Sequence, residues 1–95
     1  MAINHTSPAG FYRIGFFSRT HGVRGNLVLQ LDVDDPNRYG KTKAVHLLMN
    51  GLLVSCPVSS IKVTTKMAIV TLNEILSVEA AEPLIGLDVF LPLSE

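Results

Sequence analysis

The chain has 95 residues, enough for one domain, and its eight basic and eight acidic residues cancel at pH 7. A neutral balance argues against a free-standing nucleic-acid-binding protein, since such proteins are usually basic. One cysteine, Cys56, excludes an internal disulfide and favours a cytoplasmic location, and the polar start and lack of an apolar run of about 18 residues predict neither a secretory leader nor a membrane span.

The first third of the chain predicts an arm followed by two strands. Residues 1–10 are polar and indicate a flexible N-terminal arm. Residues 11–17 predict a strand with a bend or bulge at Gly15, because aromatic and β-branched residues dominate the segment. Its two predicted faces carry Tyr12, Ile14 and Phe16 on one side and Arg13, Gly15 and Phe17 on the other. A loop over 18–25 and a second strand over 26–31 follow.

The middle of the chain predicts a hairpin of two further strands. Residues 34–37, Asp-Asp-Pro-Asn, indicate a turn or a short helical start. A third strand over 43–49 meets a fourth over 52–63 at Asn50-Gly51, a pair typical of type I′ hairpin turns. Pro57 removes one backbone donor, so we expect the fourth strand to lie at an edge or to bend there.

The last third predicts a strand, a short helix and a closing strand. The fifth strand covers 67–72, and Ser77 is placed to cap a helix over 78–84. Gly86 supplies a left-handed stop, and a sixth strand over 88–91 ends at Pro92. Six short, mostly hairpin-linked strands favour an all-β, six-stranded antiparallel barrel over 11–92, because closure pairs the edges of the sheet.

Charges alternate in blocks along the chain. Residues 1–31 carry three arginines and no acid, and three aspartates follow within 32–35. Residues 36–66 carry five basic residues and no acid, whereas 67–95 carry five acids and no base. Two outcomes stay open: the fold has a basic and an acidic face, or strand pairing interleaves the blocks and cancels them.

The loop between the first two strands is the segment most suggestive of function. Gly22 and Gly25 allow a tight turn with positive φ, and Arg19, His21 and Arg24 project from the same segment. One interpretation is an exposed cationic loop that binds phosphate or a carboxylate-bearing partner. The alternative is a structural bend with solvated arginines.

Other chemistry finds little support. No nucleophile has a recognised spacing to His21, and the three histidines are scattered without a second cysteine, so we expect no catalysis and no metal. The Gly22–Gly25 spacing resembles a KH loop, but that loop joins helices, and no Gly-Lys-Ser/Thr follows to make a P-loop. The early aromatics either stack bases or pack the core, and core packing is favoured.

Several motifs together resemble the N-terminal domain of the RimM family of small-subunit ribosomal RNA processing factors. The most specific is His-Gly-Val-Arg-Gly at 21–25; Tyr-Arg-Ile-Gly at 12–15, the Asp-Asp-Pro-Asn-Arg-Tyr turn at 34–39 and the Glu-Ala-Ala-Glu-Pro-Leu-Ile-Gly segment at 79–86 agree in order and spacing. Two departures stand out. Asn26 occupies a position where the family usually has glutamate, and Pro83 lies within the predicted helix, which it should shorten or kink.

The resemblance implies a six-stranded barrel like the second domain of elongation factors, an architecture that flavin reductases share, and a second, PRC-type barrel beyond this chain. It implies a non-catalytic role in maturing the head of the small ribosomal subunit, with ribosomal RNA and the nineteenth protein of the S series as partners, and no cofactor or small-molecule substrate. The site residues expected for this role are Arg19, His21, Gly22, Arg24, Gly25 and Arg38. A cofactor-binding barrel or a purely structural domain are the alternatives.

Overall fold

The computed structural model describes residues 9–33 and 39–93 and confirms the predicted class. Its six strands form a closed antiparallel barrel in the order β1-β2-β5-β4-β3-β6. The strands are β1 (Phe11–His21), β2 (Asn26–Leu31), β3 (Ala44–Met49), β4 (Leu52–Val63), β5 (Met67–Leu72) and β6 (Asp88–Pro92). One short helix, α1 (Val78–Ala81), precedes β6. The turn predicted at 34–37 and the site residue Arg38 lie outside the described residues.

Strand β1 is longer than the sequence indicated. The loop was expected over 18–25, but β1 continues to His21 and only residues 22–25 form the turn. The extension follows from pairing, since Arg19 lies opposite Val28 and His21 lies opposite Asn26. The hydrogen bonds to β2 hold this segment extended, although its polar residues resemble a loop.

The predicted faces of β1 are wrong beyond Gly15. Ile14 and Phe17 are both fully buried, whereas Phe16 is half-buried and lies under the Arg13 guanidinium, 5.8 Å from the ring centroid. The register with β6 shifts between Arg13 and Gly15, which is the predicted bulge. Because an extra residue reverses the alternation of side chains, the bulge turns Phe17 inward in place of Phe16. A Cβ at Gly15 would collide with the Gln30 carbonyl oxygen.

Alternating apolar residues from five of the strands are buried in the barrel, and half-buried Val58, Ile61 and Val63 of β4 pack against them. Each fully buried leucine, isoleucine or phenylalanine contributes about 1.5–3 kcal/mol through removal of its surface from water. The largest fully buried side chains are Phe17, Ile14, Leu27, Leu29, Leu47, Leu91, Val45, Val70 and Val89. The walls therefore close around a continuous apolar core, and charged groups are confined to the outer face.

Strand β4 passes from one partner to another at its proline. Its first half pairs with β3 as far as Pro57, which lies opposite Ala44, and its second half pairs with β5 from Val58 onward. Pro57 therefore lies where β4 changes its pairing partner, and a register shift with β5 follows between Val58 and Ser60. Asn50 and Gly51 have φ values of 53° and 80°, as expected for the two central residues of the predicted hairpin turn.

The segment before β6 closes one end of the barrel. Ser77 caps α1, with the Ala80 N–H donating to the Ser77 Oγ at 3.1 Å. At Pro83 the helix tightens into a 3-10 turn, Glu82–Leu84, which confirms the predicted shortening. Ala81 and Leu84 are buried in the core, and Gly86 has the left-handed φ of 91° predicted for the stop. No helix in the described part of the chain is both long and apolar enough to cross a membrane.

One arginine joins two of the acidic blocks to the first basic block. Arg13 Nη1 donates to Asp32 Oδ2 at 2.8 Å, and Arg13 Nε donates to Asp88 Oδ1 at 2.9 Å. Partial burial acts to lower the pKa of Arg13, but these hydrogen bonds and the two negative charges outweigh it, so the pKa is raised. Strand pairing therefore brings basic and acidic residues together at Arg13, which is one of the two alternatives predicted for the charge blocks.

Candidate nucleic-acid interface

The turn joining β1 to β2 forms a narrow projection at one pole of the barrel. Its four residues run from Gly22 to Gly25, and both glycines have left-handed φ values, 76° and 85°. Between them, Val23 and Arg24 point into solvent, with Val23 88% exposed. The turn therefore displays a cation and an apolar side chain together, a combination suited to a macromolecular contact.

The second glycine fixes this turn against the helix cap. Gly25 is buried, and a Cβ there would collide with the carbonyl oxygen of Ser77. A Cβ at Gly22 would meet nothing within 4 Å. Gly22 thus serves backbone conformation alone, whereas Gly25 also allows the close approach of two backbones. The contact anchors one end of the turn to the segment that closes the barrel.

The predicted basic residues lie on this pole, but in two kinds of structure. Arg24 is exposed in the turn itself. Arg19 and His21 are exposed residues of β1, held in the sheet opposite Val28 and Asn26. The structure therefore brings three of the predicted side chains to the end of one strand and its turn. A sheet-borne arginine is held more rigidly than one in a loop, which lowers the entropic cost of a contact.

Arg19, Arg24 and His21 have no acidic partner within the described residues. Both ion pairs found there belong to Arg13, and Arg19, Arg24 and His21 form neither an ion pair nor a side-chain hydrogen bond with any described residue. Their charges and donors face solvent. They are consequently available to phosphate or carboxylate oxygens, which guanidinium groups bind in bidentate fashion.

Strand pairing brings four further polar residues beside Arg19 and His21, which the order of the sequence does not reveal. Strand pairing places Lys62 of β4 opposite Ile69, which lies opposite Val28, which in turn lies opposite Arg19. Next to these residues on the same face, Asn26 of β2, Thr71 of β5 and Ser60 of β4 lie side by side and are joined by hydrogen bonds. The signal for these residues is the pairing register, which requires knowing that β2 and β5 are neighbours.

The aromatic residues of β1 pack against other side chains and are not exposed together for base stacking. Phe17 is in the core, Phe16 lies under Arg13, and the Phe11 ring contacts the His46 ring at a centroid distance of 4.9 Å. This arrangement agrees with the favoured prediction of packing. His46 is half-buried, and its Nδ1 has no hydrogen-bond partner among the described residues.

An apolar groove of about 170 Å³ lies beside one end of the β4–β5 pairing and the segment that closes the barrel. It is lined by Met49, Cys56, Pro57, Leu72, Glu74, Ile75 and Leu84. Burial raises the pKa of the Cys56 thiol, and the negative charge of Glu74 raises it further, so the thiol is protonated at neutral pH. No group of three or more His, Cys, Asp or Glu side chains in residues 9–33 and 39–93 is arranged to hold a metal ion.

Comparison with known proteins gives one consistent family. Residues 12–95 match the family model for the RimM N-terminal domain. The ribosome maturation factor RimM of Ruminiclostridium cellulolyticum is 34% identical over 73 residues, which are 77% of this chain and 43% of the relative. This chain thus spans less than half the length of that curated relative.

Two solved structures share the fold. The crystal structure of the RimM protein of Pseudomonas aeruginosa, described as a 16S ribosomal RNA processing protein, superposes with a TM-score of 0.78 at 19% identity, over 90% of this chain and 52% of that one. The solution structure of the N-terminal domain of RimM from Thermus thermophilus gives a TM-score of 0.71 at 19% identity, over 88% and 91% of the two chains.

Proposed function

The chain belongs to the RimM family through its N-terminal domain, and from this premise we propose that it is a ribosome-maturation module that binds the assembling small subunit. Its task is to assist ribosomal RNA processing and the incorporation of ribosomal protein. The module acts in the cytoplasm by binding alone, without catalysis or cofactor. Its partners are small-subunit ribosomal RNA and the nineteenth protein of the S series, in the head of the particle.

One observation carries the proposal: three exposed cationic or hydrogen-bonding side chains lie together at one pole without internal partners among the described residues. Arg19 and His21 are held by the sheet, and Arg24 by the turn. Ribosomal RNA presents phosphate oxygens at high density, and unpaired arginines gain free energy there by displacing condensed counterions. The family supplies the ribosomal context, and the unpaired cations supply the chemistry of the contact.

The glycines shape the site and do not bind by themselves. Gly22 and Gly25 give the turn its backbone conformation, and Gly25 seats it against Ser77. Arg38 belongs to the proposed contact set as well, as a further cation for phosphate or for a carboxylate of the protein partner.

The first test is co-sedimentation of the chain with purified precursor small subunits at several salt concentrations. We expect the wild-type chain to migrate with the particles, and the paired change Arg19→Ala with Arg24→Ala to release it at lower salt, because fewer counterions are displaced. The matched control is Lys41→Ala with Lys43→Ala, two exposed cations ahead of β3 on the opposite wall of the barrel. Failure of the wild-type chain to co-sediment even at low salt would refute the proposal.

A further inference from the structure

The outer face of β1, β2, β5 and β4 carries a row of side chains with a cation at each end. Arg19, Val28, Ile69 and Lys62 lie opposite one another in successive strands. Since neighbouring strands are about 4.8 Å apart, the two ends of the row are separated by roughly 14 Å along the sheet. Val28 is buried and Ile69 half-buried, so the centre of the row is apolar and its ends are charged.

A second row beside the first is uncharged and internally hydrogen-bonded. The Ser60 Oγ donates to the Thr71 Oγ1 at 3.2 Å, and the Thr71 Oγ1 donates to the Asn26 Oδ1 at 3.1 Å. Asn26 lies opposite His21, which places the histidine at the end of this row. The network orients the Asn26 side chain so that its amide NH₂ has no partner among the described residues.

No acid interrupts either row. Asp88 is the one acid that the described strand registers pair with a residue of β1, opposite Phe16, and its carboxylate is bound to Arg13. Lys62, like Arg19, forms no ion pair with a described residue. A polyanion would therefore meet cations and neutral donors along the whole width of the sheet.

We propose that this face, which we call the two-row face (Arg19, Val28, Ile69, Lys62, His21, Asn26, Thr71 and Ser60), binds the sugar–phosphate backbone of RNA. Arg19 and Lys62 contact phosphates, and the Asn26 amide and the hydroxyls contact sugar or phosphate oxygens. The inference rests on the proposed function and extends it, since it assigns the RNA contact to a sheet surface that continues from the turn and includes β4 and β5. Charge complementarity identifies RNA as the occupant.

The test measures binding of the chain to a fluorescein-labelled single-stranded RNA of about 16 nucleotides, between about 50 and 200 mM salt. We expect Lys62→Ala to weaken binding and to reduce the slope of log affinity against log salt by about 0.7, the loss of one phosphate contact. Lys41→Ala, which removes an exposed cation from the turn ahead of β3 that belongs to neither row, should leave the slope unchanged.

A second pair of variants tests the centre of the face. Asn26→Asp keeps the acceptor for Thr71 and adds a negative charge, so we expect at least a several-fold loss of RNA affinity. Asn50→Asp makes the same chemical change in the distant hairpin turn, where Asp-Gly is also accepted, and should have little effect. Urea unfolding midpoints of all variants establish that each is folded.

The outcomes separate this inference from the function on which it rests. One outcome keeps the proposed function and refutes the two-row face. In it, Arg19→Ala with Arg24→Ala impairs co-sedimentation with precursor particles, whereas Lys62→Ala and Asn26→Asp bind RNA like the wild type. Binding to an acidic ribosomal protein but not to the RNA probe would also overturn the RNA assignment. Loss of RNA affinity in Lys62→Ala and Asn26→Asp, with both controls unaffected, supports it.

Discussion

Gly25 and Gly22 share a backbone conformation but differ in their surroundings. Both have left-handed φ, which costs a residue with a side chain about 1–2 kcal/mol. Only Gly25 lies against the Ser77 carbonyl, so a methyl group there also forces the turn away from the helix cap. The two positions therefore form a natural pair for separating backbone strain from steric contact.

We expect Gly25→Ala to lower the free energy of unfolding by more than about 2 kcal/mol, and Gly22→Ala by only about 1–2 kcal/mol from strain. Urea denaturation of the two variants and the wild type measures the difference. Equal losses in the two variants would mean that the Ser77 contact contributes nothing.

The Cys56 thiol gives a pH-dependent prediction. Its pKa is raised by burial and by the Glu74 charge, so the folded chain retains a proton that the unfolded chain loses above about pH 8.5. The unfolded state then binds fewer protons than the folded state, and this group makes stability fall as pH rises through that window. We expect the midpoint of iodoacetamide alkylation against pH to be higher in the folded chain than in urea.

Glu74→Gln supplies the control for the thiol. Removing the negative charge should bring the folded-state midpoint closer to the value in urea, while burial keeps it from returning fully. An alkylation midpoint in the native chain at or below the denatured value would contradict both expectations.

At the level of elements, the four-residue helix α1 depends on its cap. So short a helix has little intrinsic stability, and Ser77 satisfies one of its free N–H groups. Ser77→Ala should reduce the free energy of unfolding by about 1 kcal/mol, whereas Ser77→Asp should retain most of it because aspartate also caps. The thermal unfolding midpoints of the two variants test this expectation. If Ser77→Ala unfolds at the same temperature as the wild type, the cap does not stabilise the helix.

Strand β1 shows where sequence patterns suffice and where they fail. Gly15 was predicted as a bulge, and the bulge is there, but its effect on side-chain direction depends on which partner strand shifts. Alternation alone therefore assigned Phe16 to the same face as Ile14, in place of Phe17. The last residues of the strand were predicted as loop because their extended form depends on pairing with β2.

Across the whole molecule, the all-β class and the positions of the six strands followed from turn residues and apolar runs. The barrel order β1-β2-β5-β4-β3-β6 did not, since it depends on contacts between distant segments. For the same reason the sequence groups Arg19 with Arg24, which share one segment, but does not reveal that Lys62 lies in register with Arg19 across two intervening strands.

Among the described residues, the basic and acidic blocks of the sequence form ion pairs only at Arg13, and this decides which cations are left for binding. Arg13 joins acids from the end of β2 and the start of β6, so the first basic block loses one of its three arginines to an internal contact. The other two have no ion-pair partner among the described residues. A chain with zero net charge can therefore still present a cationic surface, because the cancellation is spatially uneven.

The start of β1 and the end of β6 lie side by side: Phe11 is opposite Pro92, and the Leu93 N–H donates to the Gly10 carbonyl at 2.9 Å. The turn at 22–25 is at the other end of β1, about 33 Å away along the strand. A short peptide bridge between residues 10 and 93 would accordingly allow circular permutation with new termini at Asn50-Gly51. Attaching the molecule to a sensor chip through a residue next to Gly10 or Leu93 would leave the arginine-bearing pole facing the analyte.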